Sequence, residues 1–146
     1  MNKQFNLIIY TDGGSRGNPG PAAYGFVIYD SDKQVLHEEG RAIGINTNNV
    51  AEYSGIVESL RWVQENISKN QEEKIDIQFF MDSQLAAMQL SGLWKIKNEN
   101  LRNLFFTIKI LERNIGGKIT FSHVRREHNK EADRLVNLAL DGLINS

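Results

Sequence analysis

Hydrophobic positions along the chain follow two different spacings, and the changes from one spacing to the other predict where strands and helices lie. Short runs rich in β-branched and aromatic residues predict five strands. These strands lie at 5–10, 22–30, 33–44, 74–81 and 118–124. Apolar residues at helical spacing predict four helices, and glycines follow the second and third of them. These helices lie at about 49–66, 82–92, 99–114 and 129–143.

The order of these elements, βββαβααβα, predicts an α/β fold in which helices flank a five-stranded mixed sheet. The first three strands follow one another closely, which favours an antiparallel meander. The chain has 146 residues, 40% of them hydrophobic and 24% charged. This size and composition fit one compact domain, so we expect residues 1–146 to form a single domain.

Composition excludes several classes of protein. The chain has no cysteine, so it has neither disulfides nor a thiolate zinc site. No apolar run approaches the roughly 18 to 20 residues that span a bilayer, and the first residues lack the pattern of a secretion signal. We therefore expect a cytoplasmic protein with no membrane interaction. No unused amphipathic surface demands a partner, which favours a monomer without an obligatory protein partner.

Net charge does not decide whether the chain binds nucleic acid. Its 17 basic and 18 acidic residues give a net charge of −1, whereas nucleic-acid-binding domains usually carry a basic excess. If several of the acids are metal ligands, bound cations neutralise them and the remaining surface is basic.

A glycine-rich segment follows the first predicted strand, in the stretch "IIYTDGGSRGNPGPAAYGF" at 8–26. The glycine patterns that cradle nucleotide phosphates require a helix next, and here a strand follows instead. The glycines therefore predict a tight backbone turn after Asp12. Backbone N–H groups from Gly13 onward and the side chains of Ser15, Arg16 and Asn18 suit contact with a phosphate or a ribose.

Four carboxylates stand at the ends of predicted elements, and each has an ordinary structural explanation. Asp12 before glycine is a common turn residue. Glu52, three residues after Asn49, fits a capping box, and Asp82 fits a helix N-cap. Asp133 lies in the first turn of the last helix, where the helix dipole favours an acid.

The four acids together favour a metal site. Asp12 and Asp82 both end apolar strands, and if these strands are parallel neighbours their carboxylates lie within a few ångströms of each other. Helix starts carrying Glu52 and Asp133 would complete the cluster, whose mutual repulsion a hard cation such as Mg²⁺ relieves. Two Mg²⁺ ions about 4 Å apart would support phosphodiester hydrolysis, as in nucleases and polymerases.

Four motifs resemble the type 1 ribonuclease H family over nearly the whole chain. They are "YTDGGSRGNPGPAAYGFVIYD", "NTNNVAEYSGIVESL", "MDSQL" and "REHNKEADRLVNLA". The lack of a long basic insertion is similar to the shorter archaeal-type and bacterial members. The resemblance implies a ribonuclease H-like fold, Mg²⁺ or Mn²⁺ as cofactor, and hydrolysis of the RNA strand of RNA–DNA hybrids to 5′-phosphate and 3′-hydroxyl ends.

The resemblance also assigns site residues. The family's four metal ligands and catalytic acids fall on Asp12, Glu52, Asp82 and Asp133. Its nucleic-acid contacts fall on Asn18, Thr47, Asn48, Asn49 and Gln84. Backbone amides near Gly13 to Arg16, with Glu52 and Gln84, are candidates for reading successive 2′-hydroxyls.

The chain departs from the family pattern in two places. Many members carry a histidine in a loop before the last acid. Here His128 is the candidate for that catalytic role, although a surface or capping histidine also explains it, and Arg125 or Arg126 could contact the substrate instead. In place of the basic insertion, Trp94 with Lys95 offers an aromatic and a cation to a nucleic-acid backbone, or Trp94 anchors the core. Fewer basic contacts predict modest hybrid affinity and a shallow salt dependence.

Two other functions remain open on sequence grounds. One is a different nuclease with the same fold, such as a resolvase, an integrase or the ribonuclease H segment of a reverse transcriptase. The other is a hybrid-binding module without catalysis, which the presence of all four acids disfavours. Metal-dependent cutting of a labelled hybrid separates these possibilities.

Overall fold

The computed structural model describes residues 4–68 and 74–144, and within them it confirms the predicted order of elements. The strands are β1 (Gln4–Ser15), β2 (Gly20–Tyr29), β3 (Val35–Asn46), β4 (Lys74–Met81) and β5 (Gly116–His123). The helices are α1 (Asn48–Asn66), α2 (Gln84–Leu90), α3 (Glu99–Ile115) and α4 (Lys130–Leu140), with a 3₁₀ turn at Arg126–His128. None of these helices is long and apolar enough to cross a membrane.

The strands form one mixed sheet in the order β3-β2-β1-β4-β5. The first three strands pair antiparallel, as the meander predicted, and β4 pairs parallel with both β1 and β5. Helices α1, α2 and α3 share the main hydrophobic core with one face of the sheet. Helix α4 packs on the other face through a smaller apolar cluster. This arrangement places the parallel neighbours β1 and β4 at the centre of the sheet.

The predicted end of the first strand was wrong. Strand β1 continues past Asp12 through both following glycines to Ser15, because its antiparallel pairing with β2 continues there, with Asp12 opposite Gly25. Backbone hydrogen bonding to β2 outweighs the low strand preference of glycine. Only the parallel pairing with β4 stops, at Thr11 and Met81. Asp12 therefore lies on a strand that is still paired with β2, just where the sheet opens between β1 and β4.

Glycines let two helices approach the sheet closely. A Cβ atom at Gly13 would lie 2.3 Å from the backbone carbon of Ala51 and 2.4 Å from the backbone nitrogen of Glu52 in α1. A Cβ atom at Gly25 would lie 2.6 Å from the backbone oxygen of Ala132 in α4. Both helices carry predicted metal ligands, so these glycines set how near the acids come to Asp12.

Substitution of Gly13 tests this close contact. We expect Gly13→Ala to lower the free energy of unfolding by roughly 1–3 kcal/mol, because the added methyl group must displace the α1 backbone. Urea unfolding measures the loss. Gly14→Ala is the matched control, since a Cβ atom there would meet its nearest neighbour, Asn48 Oδ1, only at 4.0 Å. Equal stability of the two variants would contradict the packing role of Gly13.

Candidate active site

Three carboxylates meet where β1 and β4 separate. Asp12 comes from β1, Glu52 from α1, and Asp82 from the turn directly after β4. Each offers one carboxylate oxygen, and these oxygens all lie within 4.8 Å of one another. Asp12 and Glu52 are buried, with 7% and 5% of their surface exposed. The expected convergence of acids from distant parts of the sequence is therefore present for these three residues.

The helix-capping explanations do not account for Glu52 and Asp82. Thr47 caps α1, and its Oγ1 accepts a hydrogen bond from the Val50 N–H at 3.2 Å. Ser83 caps α2 in the same way, accepting from the Ala86 N–H at 3.1 Å. Because the caps lie elsewhere, neither acid is needed to start its helix. Asp133 does lie in the first turn of α4, so the helix dipole remains a sufficient reason for an acid there.

Burial and mutual repulsion disfavour the charged forms of the two buried acids. Desolvation, followed by the charge of Asp82, raises the pKa of Asp12 to about 7 from 3.8. Desolvation, followed by the charge of Asp12, raises the pKa of Glu52 well above its usual value. Glu52 Oε2 is buried and has no hydrogen-bond partner among the described residues. An unpaired buried carboxylate oxygen facing other carboxylates fits a divalent cation, which prefers such oxygen ligands.

A cavity of about 410 Å³ opens over the three acids. Asp133 lines this cavity from α4 but lies outside the tight set of three. Six predicted substrate-binding residues also line it: Gly13, Ser15, Arg16, Asn48, Asn49 and Arg126. Six others do not: Asn18, Thr47, Gln84, Trp94, Lys95 and Arg125. The sequence analysis did not identify Ser83 and Asn137, whose side chains carry a hydroxyl and an amide and which also line the cavity.

The segment after β1 is fastened to the start of α1. Asn48 Oδ1 accepts a hydrogen bond from the Ser15 N–H at 2.8 Å, and the Asn48 N–H donates to Asn18 Oδ1 at 3.0 Å. The Asn18 side chain and the Thr47 hydroxyl thus hold local structure rather than line the cavity. Arg16 reaches across to the end of α4, where its guanidinium lies 2.7 Å from the carboxylate of Asp141, the residue that follows the helix.

Arg125, Arg126 and His128 precede Asp133 and were predicted to take part in catalysis or to contact the substrate. Of these three residues, Arg126 lines the acidic cavity. Its Nε lies 3.7 Å from Asp82 Oδ2. His128 is exposed and lines a different cavity, of about 360 Å³, with Tyr10 and Tyr29. Arg125 lies 3.9 Å from Glu127 and is largely exposed. Position along the chain alone could not separate these residues, because the 3₁₀ turn that directs them differently had no clear sequence signal.

The segment between α2 and α3 lies outside the acidic cavity. Trp94 is 45% exposed, so it is not a core anchor. Lys95 is exposed beside it, and its backbone oxygen accepts a hydrogen bond from Gln89 Nε2 at 3.1 Å. Gln89 in turn accepts from the Tyr53 hydroxyl at 2.6 Å, which connects this segment to α1. The role of Trp94 and Lys95 as nucleic-acid contacts stays a prediction.

Comparison with known proteins agrees with this fold. A family model described as reverse transcriptase-like matches residues 10–139. The chain is 40% identical over 143 residues to the bifunctional protein Rv2228c of Mycobacterium tuberculosis, which covers 97% of this chain and 37% of that protein. It is 30% identical to a ribonuclease H of Ruthia magnifica over 97% of each chain. The crystal structure of LC11-RNase H1 in complex with an RNA/DNA hybrid has a TM-score of 0.85 and 40% identity, covering 93% of this chain and 97% of that one.

The sheet order and the acidic cluster define a protein of the ribonuclease H-like class, in agreement with the fold predicted from the sequence. The sequence identity to its relatives assigns the chain to one family within this class. The chain belongs to the type 1 ribonuclease H family, a family of hydrolases. It spans 37% of the length of the mycobacterial relatives it matches.

Proposed function

We propose that this chain hydrolyses the RNA strand of RNA–DNA hybrids, with Mg²⁺ as the physiological cofactor and Mn²⁺ as a substitute. The products are 5′-phosphate and 3′-hydroxyl ends. The observation that carries the proposal is the meeting of Asp12, Glu52 and Asp82, whose carboxylate oxygens lie within 4.8 Å of one another in the wall of an open cavity. The hybrid bound to LC11-RNase H1, a relative of 40% identity, supports the choice of substrate.

Four acids would hold the cations. Asp12 and Glu52 form the buried base of the site, Asp82 stands beside them, and Asp133 faces them from α4. When bound, two such cations would supply Lewis-acid polarisation of the phosphate and a lowered pKa for the attacking water. Asp12 lies on a strand, Asp82 directly follows another strand, and Glu52 and Asp133 lie on helices, so the fold holds the acids in place before the substrate binds and limits reorganisation during the reaction.

Neutral and basic groups around the acids would position the nucleic acid. Asn48 and Asn49 lie at the start of α1 and line the cavity, and the positive end of the helix dipole there favours a phosphate. Ser15 and Arg16 line the same side of the cavity from the β1–β2 segment. Arg126 stands on the side of Asp82 and offers a positive charge to the phosphate being cleaved. Trp94 and Lys95 would meet the duplex further from the acids.

A substitution at Arg126 tests its placement. We expect Arg126→Gln to lower kcat for hybrid cleavage by about tenfold or more, because a positive charge beside Asp82 no longer stabilises the charge that develops on the phosphate. Single-turnover cleavage of a labelled hybrid measures this change. Arg125→Gln and His128→Gln are matched controls from the same segment and should retain nearly full kcat. An inactive His128→Gln variant with a fully active Arg126→Gln variant would reverse the assignment.

A substrate panel tests the proposed function itself. The protein is incubated with an RNA–DNA hybrid, a DNA duplex and an RNA duplex of one sequence, each strand labelled in turn, with Mg²⁺ or a chelator. The proposal expects Mg²⁺-dependent cutting of the RNA strand in the hybrid, with 5′-phosphate ends. Hybrid binding without cutting would indicate a non-catalytic module, and cutting of the DNA duplex would indicate a resolvase-like or integrase-like nuclease. Cytoplasmic location and action as a monomer remain predictions.

A further inference from the structure

One buried polar side chain near the active site has no part in the proposed chemistry. Asn129 is 1% exposed and lies immediately before α4. Its Nδ2 donates a hydrogen bond to the backbone oxygen of Thr11 at 2.8 Å, across 118 positions of sequence. Thr11 precedes the metal ligand Asp12 and is the last residue of β1 that pairs with β4. Asn129 therefore contacts β1 at the point where the sheet opens around the acids.

Helix capping does not explain this residue. Asparagine before a helix usually accepts a hydrogen bond from a backbone N–H of the first turn. The Asn129 side chain makes no such bond. Its Oδ1 is buried and has no hydrogen-bond partner among the described residues. A buried, unpaired amide oxygen is destabilising, so stability alone would favour an apolar side chain of similar shape.

The same residue is linked to the fourth acid. The backbone oxygen of Asn129 accepts a hydrogen bond from the Asp133 N–H at 3.2 Å, one helical turn further along. Asn129 thus binds the strand of Asp12 through its side chain and the helical turn of Asp133 through its backbone. Unlike Glu52 and Asp82, Asp133 is not held within the tight set of carboxylates, so its distance from Asp12 depends on where α4 sits.

Glycines under α4 set how closely this helix approaches the sheet, but they do not fix its position along the strands. Gly25 pairs with Asp12 on one side and with Gly40 on the other. These two glycines present a flat surface to the α4 backbone, with a Cβ atom at Gly40 only 2.6 Å from the Leu135 oxygen. No side chain from these two positions fixes α4 along the strands, whereas the hydrogen bond from Asn129 fixes its first turn relative to Thr11.

We propose that Asn129 is a positioning residue for the cation site. Its amide holds the start of α4 against β1, so that Asp133 faces Asp12 at a distance that a shared pair of cations can bridge. This proposal rests on the proposed function for the identity of the cation site. Among the described residues, the only hydrogen bond of its side chain is to Thr11, so its effect would be exerted through the placement of Asp133.

Cation binding without substrate tests the proposal. Calorimetric titration with Mn²⁺ is compared for the wild type and Asn129→Leu, which keeps approximate shape and loses the amide. We expect Asn129→Leu to bind Mn²⁺ about tenfold or more weakly, as happens when outer contacts of metal ligands are lost. At limiting Mg²⁺ its kcat should fall and should recover at high Mg²⁺, while KM for the hybrid stays within about twofold of the wild type.

A control on the same helix separates positioning from stability. Ala139→Gly loosens the buried packing of α4 without touching Thr11, and it should lose stability while binding Mn²⁺ like the wild type. If Asn129→Leu does not fold, Asn129→Ala takes its place in the same titration. Wild-type Mn²⁺ affinity in the folded Asn129 variant would overturn the proposal. A wild type that binds Mn²⁺ but cuts no hybrid would overturn the proposed function. The Mn²⁺ affinities of the wild type and the Asn129 variant would still test the positioning role of Asn129.

Discussion

Asp82→Asn is expected to lower hybrid cleavage by about a thousandfold or more, with little change in stability or in hybrid binding. Its carboxylate lies beside those of Asp12 and Glu52, and 14% of its side chain is exposed. A cation at this site contributes several kcal/mol of charge stabilisation, and about 4 kcal/mol corresponds to a thousandfold in rate. Asparagine has nearly the same shape and still leaves Ser83 to cap α2, so the fold should remain intact.

The loss should be specific to this acid. Asp32→Asn is the matched control, because Asp32 is exposed in the turn between β2 and β3, at the opposite end of β2 from the loop that follows β1. Initial rates of cutting at saturating hybrid and Mg²⁺ give the comparison, and filter binding in chelator gives hybrid affinity. Retention of more than about a tenth of wild-type cleavage in Asp82→Asn would show that its carboxylate is not a cation ligand in the reaction.

Asp12→Asn is expected to stabilise the metal-free protein while it abolishes cleavage. The pKa of Asp12 rises from 3.8 to about 7 in the folded protein, chiefly through burial and then through the charge of Asp82. The folded state therefore binds this proton more tightly than the unfolded state does. Between pH 4 and pH 7 the free energy of unfolding falls as pH rises, because the buried charge must form in the folded protein. Asparagine carries no such charge and removes this penalty.

The stability difference between Asp12→Asn and the wild type should therefore depend on pH. In chelator we expect it to be small near pH 4, where Asp12 is protonated, and to reach on the order of 2–4 kcal/mol above pH 7. Urea unfolding at several pH values measures both proteins, and their difference cancels titrating groups far from Asp12. Glu52 does not cancel, because loss of the Asp12 charge lowers its raised pKa and so adds to the difference in the same direction. Added Mg²⁺ should stabilise the wild type more than the variant. A difference that does not change with pH would contradict the raised pKa of Asp12.

Most of the fold could be predicted from hydrophobic spacing. The misplaced strand end arises where one strand has two neighbours and loses its pairing with only one of them. Strand β4 was predicted with its observed limits, 74–81, because every second residue is buried and polar segments flank it. The end of β1 was misplaced because glycine propensity describes a lone strand, whereas pairing with β2 extends the strand to Ser15. A sequence pattern does not show which of two neighbouring strands still supplies hydrogen bonds.

Site residues were predictable where the chemistry requires one residue type, as for the carboxylates. They were less predictable where the direction of a side chain determines whether the residue reaches the cavity. Carboxylates at the ends of parallel neighbours predicted the meeting of Asp12 and Asp82. The actual helix caps, Thr47 and Ser83, could not be told from their polar neighbours, although each follows the rules for such residues. Arg126 and His128 differ by two positions and line different cavities, because a single 3₁₀ turn separates their directions.

We infer that acids from distant parts of the sequence form one cation site for cutting RNA paired with DNA. Anomalous diffraction from crystals grown with Mn²⁺ and an uncleavable RNA–DNA hybrid tests it most directly. We expect manganese peaks in contact with Asp12, Glu52 and Asp82, and an RNA phosphate in the same cavity. A cavity without manganese, or a hybrid bound on another surface of the protein, would contradict it.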